Sequence, residues 1–219
     1  GPGTGFLSEG MAKAGVSLLS VEIDRKLVHL AREAVAAWPD AEVFEGDILD
    51  GKHGLNSAAL ELLEKAWERR NRGPLKCISN LPYSITTPFL VNLCAHQLPW
   101  ERGVFMIQKE VAERALAAPG SEEYGALSIA MRLASANLEI VRLVPPQVFW
   151  PRPEVQSAIL AVDFLPSGQR LSIPWNDLRR VTQAVFASRR KTLRNSFANL
   201  CPKGDKSLAG ELCEAIGAS

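Results

Sequence analysis

Short apolar runs of strand length alternate with stretches of helical period along most of this chain, and that alternation narrows its fold more than any single motif. Strands are expected over 16–23 (VSLLSVEI), 41–44, 75–78 and 103–108. Helices are expected over 25–38, 56–70, 86–96, 109–118 and 126–135. In the first helix Leu27, Leu30, Ala31, Ala34, Val35 and Trp38 form one expected apolar face, and in 86–96 Thr87 is the expected cap with Pro88 at the first helical position. Strand following helix following strand implies a mostly parallel, doubly wound α/β sheet with helices on both faces. Two late strands, 138–144 and 157–165, have no clear helix between them and read as an antiparallel edge hairpin. After Pro166-Ser167-Gly168, the stretches 175–188, 192–200 and 206–216 read as a small all-α module.

Charge separates these two parts. From Leu171 onward eight Lys or Arg face four acids, a surplus of +4 in a chain whose net charge is +1, which leaves −3 for residues 1–170. A basic appendage on a mildly acidic body points to a polyanionic partner. No run approaches the length of a membrane-spanning helix, and no secretory signal is present. Cys77, Cys94, Cys201 and Cys213 form no CxxC pair and read as buried thiols in a reducing cytoplasm. No metal site is expected.

Ligands of open α/β sheets bind beyond the carboxyl ends of the strands, and four features fall at such ends. The first is the glycine-rich turn GPGTG at residues 1–5, where missing side chains let a ligand approach the backbone. Such a turn follows a strand, and none precedes it here, so a first strand and an amino-terminal segment are expected to be missing. The turn lacks GxGxxG spacing, and the chain has no Walker lysine motif, which argues against dinucleotide binding and phosphoryl transfer. The second feature is Glu22, placed to accept from ribose hydroxyls, with Asp24 behind it as a helix cap. The third is Asp47, able to accept from an exocyclic amine. The fourth is Ser79-Asn80-Leu81-Pro82-Tyr83, which is either a stiff turn with a buried Tyr or a clamp for a flat, nitrogen-bearing ring.

In order, GPGTGFLS, VEID, GDILD and NLPYSI resemble the motifs of class I S-adenosylmethionine-dependent methyltransferases. More narrowly, the chain resembles the small-subunit ribosomal RNA adenine dimethyltransferases of the KsgA type. Residues 108–114 (QKEVAER), the run 144–158 through Phe149-Trp150-Pro151 and the basic stretch 188–195 (SRRKTLRN) carry the resemblance across nearly the whole length. It implies a Rossmann-like methyltransferase domain over 1–166 and a small, incomplete helical RNA-binding domain over 167–219. Gly1, Gly3, Glu22, Ile23, Asp47, Ile48 and Asn80 would line the S-adenosylmethionine site. Asn80, Leu81, Pro82, Tyr83 and Phe149 would hold the target adenosine, with Tyr83 and Phe149 on opposite faces of the base. Arg189, Arg190, Lys191 and Arg194 would meet RNA phosphates. The partner implied is small-subunit rRNA in an immature ribosomal subunit, met by a monomeric, cytoplasmic enzyme that needs no metal.

The resemblance departs in places: the family's amino-terminal Gln-(Asn/His)-Phe-Leu motif is absent, and the connection over 50–74 is long. Two rivals share parts of the pattern. Large-subunit rRNA adenine methyltransferases more often carry Asn-Ile-Pro-Tyr, and DNA or glutamine methyltransferases carry Asn-Pro-Pro-Tyr; neither has the RRKTLRN stretch. An RNA-binding assembly factor without chemistry is opposed by intact Glu22, Asp47, Asn80 and Tyr83.

Overall fold

A computed structural model of the chain describes residues 1–51, 54–170, 175–186, 192–201 and 206–215. Fifteen helices and strands run α1 (Phe6–Lys13), β1 (Leu18–Glu22), α2 (Arg25–Val35), β2 (Ala41–Glu45), α3 (Ser57–Arg69), β3 (Leu75–Asn80), α4 (Thr86–Ala95), β4 (Trp100–Gln108), α5 (Lys109–Leu116), α6 (Ala126–Ala134), β5 (Ser135–Val144), β6 (Ser157–Phe164), α7 (Trp175–Phe186), α8 (Leu193–Phe197) and α9 (Lys206–Ala215). From β1 onward the alternation read from the sequence is the one that forms, α1 after the glycine turn is a helix beyond those expected, and β5 and β6 are the expected antiparallel pair.

The sheet comes in two pieces. β1 pairs in parallel with β2, while β3, β4, β6 and β5 make a four-stranded sheet in that order. Its β3–β4 ladder is parallel, and its β4–β6 ladder is antiparallel. No ladder joins β1 to β3 among the described residues. The edges of both strands line one largely apolar cavity of about 760 Å³, together with Leu60, Leu63 and Trp67 of α3. Gly1 and Pro2 of the glycine turn also line this gap.

The main core joins Phe105 and Ile107 of β4, Leu160 and Val162 of β6, Leu90 and Leu93 of α4, and Met131 of α6. These side chains are almost fully buried, and at roughly 25 cal/mol per Å² of apolar surface their burial is the chief favourable term in folding. Phe89 meets Phe105 edge-on, with ring centroids 6.2 Å apart. A smaller cluster holds α2 against β2 through Val28, Ala31, Val35 and Val43. The stripe differs from the expected one: Val28 is inside and Leu30 is exposed, because α2 turns the 28, 31, 35 row to the sheet.

One cap is corrected: α4 begins at Thr86 as expected, but Ile85 takes the N-cap position and Thr87 and Pro88 lie within the helix. The loop before it already coils as a 3-10 turn over Tyr83–Ile85. Thr86, fully buried, spends its hydroxyl on the Pro82 carbonyl at 3.1 Å instead. Among the cysteines, Cys94, Cys201 and Cys213 are buried as expected, whereas Cys77 is only half-buried. Burial pushes the Cys94 thiol up to about 12, so it stays protonated and unreactive.

Arg170 is the feature no motif announced. Its guanidinium is buried and donates to the carbonyls of Leu165 (2.9 Å), His96 (3.0 Å), Leu98 (3.1 Å) and Trp100 (3.1 Å). It also lies 5.5 Å from the centroid of the Phe164 ring. One side chain thus fastens the segment after β6 to the end of α4 and the start of β4. Further on, Phe186 of α7 meets Tyr124 with ring centroids 6.1 Å apart, and α8 packs on α9 around Ala198, Cys201 and Ala209. Among the described residues no helix is long and apolar enough to cross a membrane.

Two measurements check this packing. Arg170→Ala should lower urea stability by about 3 kcal/mol, since four carbonyls lose a charged donor at once, and Arg170→Lys should recover only a minor part because it lacks the fork. His96 next to it is held below its ordinary pKa of 6.5, chiefly by burial, with the Glu64 charge opposing and the Arg170 charge adding. Its Nδ1 accepts from the Leu98 N–H at 3.2 Å, which requires the neutral ring. The unfolded chain therefore takes up a proton before the folded one does, and stability should fall as pH drops below about 6.5. His96→Gln should flatten the melting temperature between pH 7 and pH 5.

Candidate active site

The carboxyl ends of β1, β2 and β3 carry Glu22, Gly46-Asp47 and Asn80, as the parallel pairings require. Glu22 is only 7% exposed, and its carboxylate is wrapped in backbone amides. Oε1 accepts from the N–H groups of Ile23 (2.9 Å) and Asp24 (3.1 Å), and Oε2 accepts from Gly3 N–H at 3.1 Å. Three of roughly four acceptor positions are thereby occupied, which leaves one for an incoming hydroxyl. Glu22 thus pins the glycine turn to the end of β1. Asp24 behaves as the expected cap, accepting from Lys26 N–H at 2.8 Å. Ile23, next in line, presents an exposed side chain.

The glycine turn needs glycine at one place above all. Gly5 has φ of +91°, and a Cβ there would meet Ala34 Cβ at 2.6 Å and Ala31 Cα at 3.1 Å, so the turn sits hard against α2. Its N–H closes the turn on the Pro2 carbonyl at 3.0 Å. Gly1 and Gly3 differ, because a Cβ on Gly3 would meet nothing within 4 Å and one on Gly1 only Glu22 Oε2 at 3.5 Å. Those two positions leave open backbone beside a carboxylate.

Asp47 is exposed. One of its oxygens accepts from Leu49 N–H at 2.9 Å, and its carbonyl accepts from the Asn56 amide at 2.9 Å. Asn56 also caps α3, accepting from Ala59 N–H at 3.1 Å. The long connection thus returns to brace the Asp47 turn through Asn56, helped by an antiparallel bridge between Leu49 and Leu55 and by Ile48, which packs half-buried against the core. The signal was visible: Asn before a helical run is an N-cap pattern. What it would brace was not.

Asn80 is the last residue of β3 and is exposed, while Leu81 behind it is buried and ties its N–H to the Met106 carbonyl at 3.1 Å. Pro82 has no N–H, and its carbonyl accepts from Ile85 N–H (3.2 Å) as well as from Thr86. Peptide groups on both sides of the loop are thus fixed, and the Asn80 amide stands on a rigid base. Tyr83 is not the buried ring of a plain turn: it is 36% exposed, and its hydroxyl is 2.9 Å from Ser157 Oγ. Ser157 begins β6, 74 residues away in sequence, and nothing in the sequence pairs it with Tyr83.

Phe149 is half-buried in the loop between β5 and β6, where its N–H bonds the Pro146 carbonyl at 3.2 Å. It makes no ring contact with Tyr83 among the described residues. The loop's far end is sewn to the site, because Lys109 N–H donates to the Gln156 carbonyl at 2.9 Å just before Ser157. Of the basic cluster, Arg189, Arg190 and Lys191 lie outside the described residues. Arg194 is exposed and turned onto α9: its Nε reaches the Lys206 carbonyl at 3.5 Å, and a Cβ on Gly210 would stand 2.9 Å from its guanidinium. Among the described residues no group of three or more His, Cys, Asp or Glu is placed to hold a metal ion.

The comparisons agree in direction. The family model described as ribosomal RNA adenine dimethylase matches residues 1–211. A protein named ribosomal RNA small subunit methyltransferase A from Alkaliphilus oremlandii is 39% identical over 98% of this chain, which spans 71% of that protein. One of the same name from Lactiplantibacillus plantarum is 40% identical over 93% of the chain and 66% of its own length. In fold, a dimethyladenosine transferase from Plasmodium falciparum superposes with a TM-score of 0.75 at 22% identity, covering 100% of this chain and 80% of its own. The 23S rRNA methyltransferase ErmE gives 0.57 at 22% identity, with the same coverage.

The Tyr83–Ser157 contact can be tested directly. Tyr83→Phe and Ser157→Ala should each cost stability, and their double-mutant cycle should show coupling of about 1 kcal/mol. Additive losses would mean that the two loops are not tied there.

Proposed function

The chain belongs to the ribosomal RNA adenine dimethylase family, and from that premise we propose that it methylates N6 of adenosines in small-subunit rRNA, using the ends of β1, β2 and β3 as its site. The observation that carries this reading is the Asn80 loop: an exposed amide on a peptide frame fixed from both sides, beside the Tyr83 ring that Ser157 holds.

The residues present fit S-adenosylmethionine. Gly1 and Gly3 offer backbone without side chains, Glu22 keeps one acceptor position for a ribose hydroxyl, and Asp47 keeps an oxygen for an exocyclic amine. When bound, that cofactor supplies an electrophilic methyl group. Gly1, Gly3, Glu22, Ile23, Asp47 and Ile48 would hold it, with Asn80 at the border to the substrate.

The chain's own part is to prepare the amine. Adenine N6 is a weak nucleophile because its lone pair is delocalised into the ring. The Asn80 side-chain oxygen and the Leu81 carbonyl accept its N–H bonds and turn the lone pair out of conjugation. A rigid loop does this without reorganising during the reaction, which is where such electrostatic help is largest. Once N6 is alkylated it is acidic, and no strong base is needed, in keeping with a loop that has no His, Asp or Glu. Tyr83 stacks on the extruded base and Phe149 covers its other face, at roughly 1–3 kcal/mol per stacked base. Residues 167–219 act as the helical RNA-binding domain, with Arg189, Arg190, Lys191 and Arg194 on phosphates. The enzyme is a cytoplasmic monomer that acts on an immature subunit.

Labelled methyl transfer to immature small ribosomal subunits is the test. It should yield N6-methylated adenosine in digested rRNA, and Asn80→Ala should lower the rate about 100- to 1,000-fold while the circular dichroism is unchanged. Label found only in protein, or an Asn80→Ala variant of full activity, would overturn the reading.

A further inference from the structure

Trp150 is 98% exposed, the most exposed of the large apolar side chains described. An indole has more apolar surface than any other side chain to hide, so a chain that leaves it wholly in solvent gives up a stabilising contact. It follows Phe149 directly, on the loop whose far end is tied to Lys109 through the Gln156 carbonyl and to Tyr83 of the Asn80 loop through Ser157. The loop is stiff. Pro145, Pro146, Pro151 and Pro153 fix four of its φ angles, and a 3-10 turn spans Pro146–Val148. An aromatic ring held out on a frame of this kind loses little conformational freedom when something stacks on it.

The surroundings say what that something is. Arg152, two residues on, is exposed, and so is Arg142 on β5, the edge strand that leads into the loop. Neither belongs to an ion pair among the described residues. A bare aromatic ring with unpaired cations on its own loop and on the strand leading into it suits single-stranded nucleic acid: bases on the ring, phosphates on the guanidinium groups.

We propose that Trp150 is a positioning residue that stacks on an unpaired nucleotide flanking the target adenosine, with Arg142 and Arg152 on the neighbouring phosphates. This rests on the reading of the site as an RNA adenine methyltransferase. Phe149 covers the base that reacts, and Trp150 grips the next one, so the register of the strand over Asn80 is set by a contact outside the reacting base. Enzymes that extrude a base draw sequence-context preference from contacts of this type.

The test uses the full chain and a single-stranded rRNA oligonucleotide containing the target adenosine, in an intact form and in forms with an abasic site at either neighbouring position. Trp150→Ala should raise KM and the dissociation constant for intact RNA roughly 10- to 100-fold, the span that stacking on one base supports, with a smaller change in kcat. Trp150→Phe should restore most of the affinity. One abasic RNA should bind wild type as weakly as intact RNA binds Trp150→Ala, and should bind that variant no worse. Wild-type affinity in Trp150→Ala, a Trp150→Phe as weak as the alanine variant, or an alanine defect that persists on both abasic RNAs would overturn the proposal. So would a wild-type chain that sediments as a dimer, becomes monomeric with Trp150→Ala and binds RNA equally in both forms. Methyl transfer is scored separately on immature small subunits: if wild type yields no methylated adenosine there, the proposed reaction fails, while the binding contrast on the oligonucleotides still decides the role of Trp150.

Discussion

Three backbone N–H groups converge on the carboxylate of Glu22, and the rest of the site depends on that arrangement. A carboxylate buried at the end of a strand is costly unless its oxygens are satisfied. Here the satisfying donors come from the glycine turn on one side and from the entry to α2 on the other. The turn is held to β1, α2 is started by Asp24 in the next step, and Gly5 packs against the middle of α2. Removing the charge would loosen the frame that holds the glycine turn to β1 and α2.

The other half of the site is held in a different way. Asn80 owes its position to β3, to the Leu81 amide on Met106, and to the two donors that lock the Pro82 carbonyl. Tyr83 is then set by Ser157 from β6. The Glu22 cradle is fastened by a charge and the Asn80 loop by a set of neutral hydrogen bonds. The two halves meet across an apolar gap that no ladder bridges among the described residues.

Much of this was legible in one dimension because it is local. Apolar periodicity reports directly which face of an element is buried, so the order of strands and helices could be read, as could the antiparallel pair β5 and β6. Glu22, Asp47 and Asn80 could be named because each follows an apolar run, and strand ends are where open α/β sheets bind ligands. Even so, the face expected for α2 has Ala31 and Val35 right but omits Val28 and puts Leu30 inside, since neighbouring apolar residues at helical spacing fit two faces almost equally well. The cap expected at Thr87 falls at Ile85 instead, because the 3-10 turn over Tyr83–Ile85 runs straight into α4 and Thr86 bonds back to Pro82, a choice that its sequence neighbours do not dictate.

The sequence by itself determined the fold class, the family motifs and the chemical types at the three strand ends, because each of these is written in short-range pattern. Tertiary structure alone decided that Arg170 collects four carbonyls, that Ser157 holds Tyr83 from 74 residues away, and that Asn56 braces Asp47. It also decided that Trp150 stands in solvent while Phe149 beside it is half-buried. The reason is physical. A hydrogen bond or a buried surface belongs to a pair of groups, and the identity of the partner is fixed only when the chain has closed the loop between them.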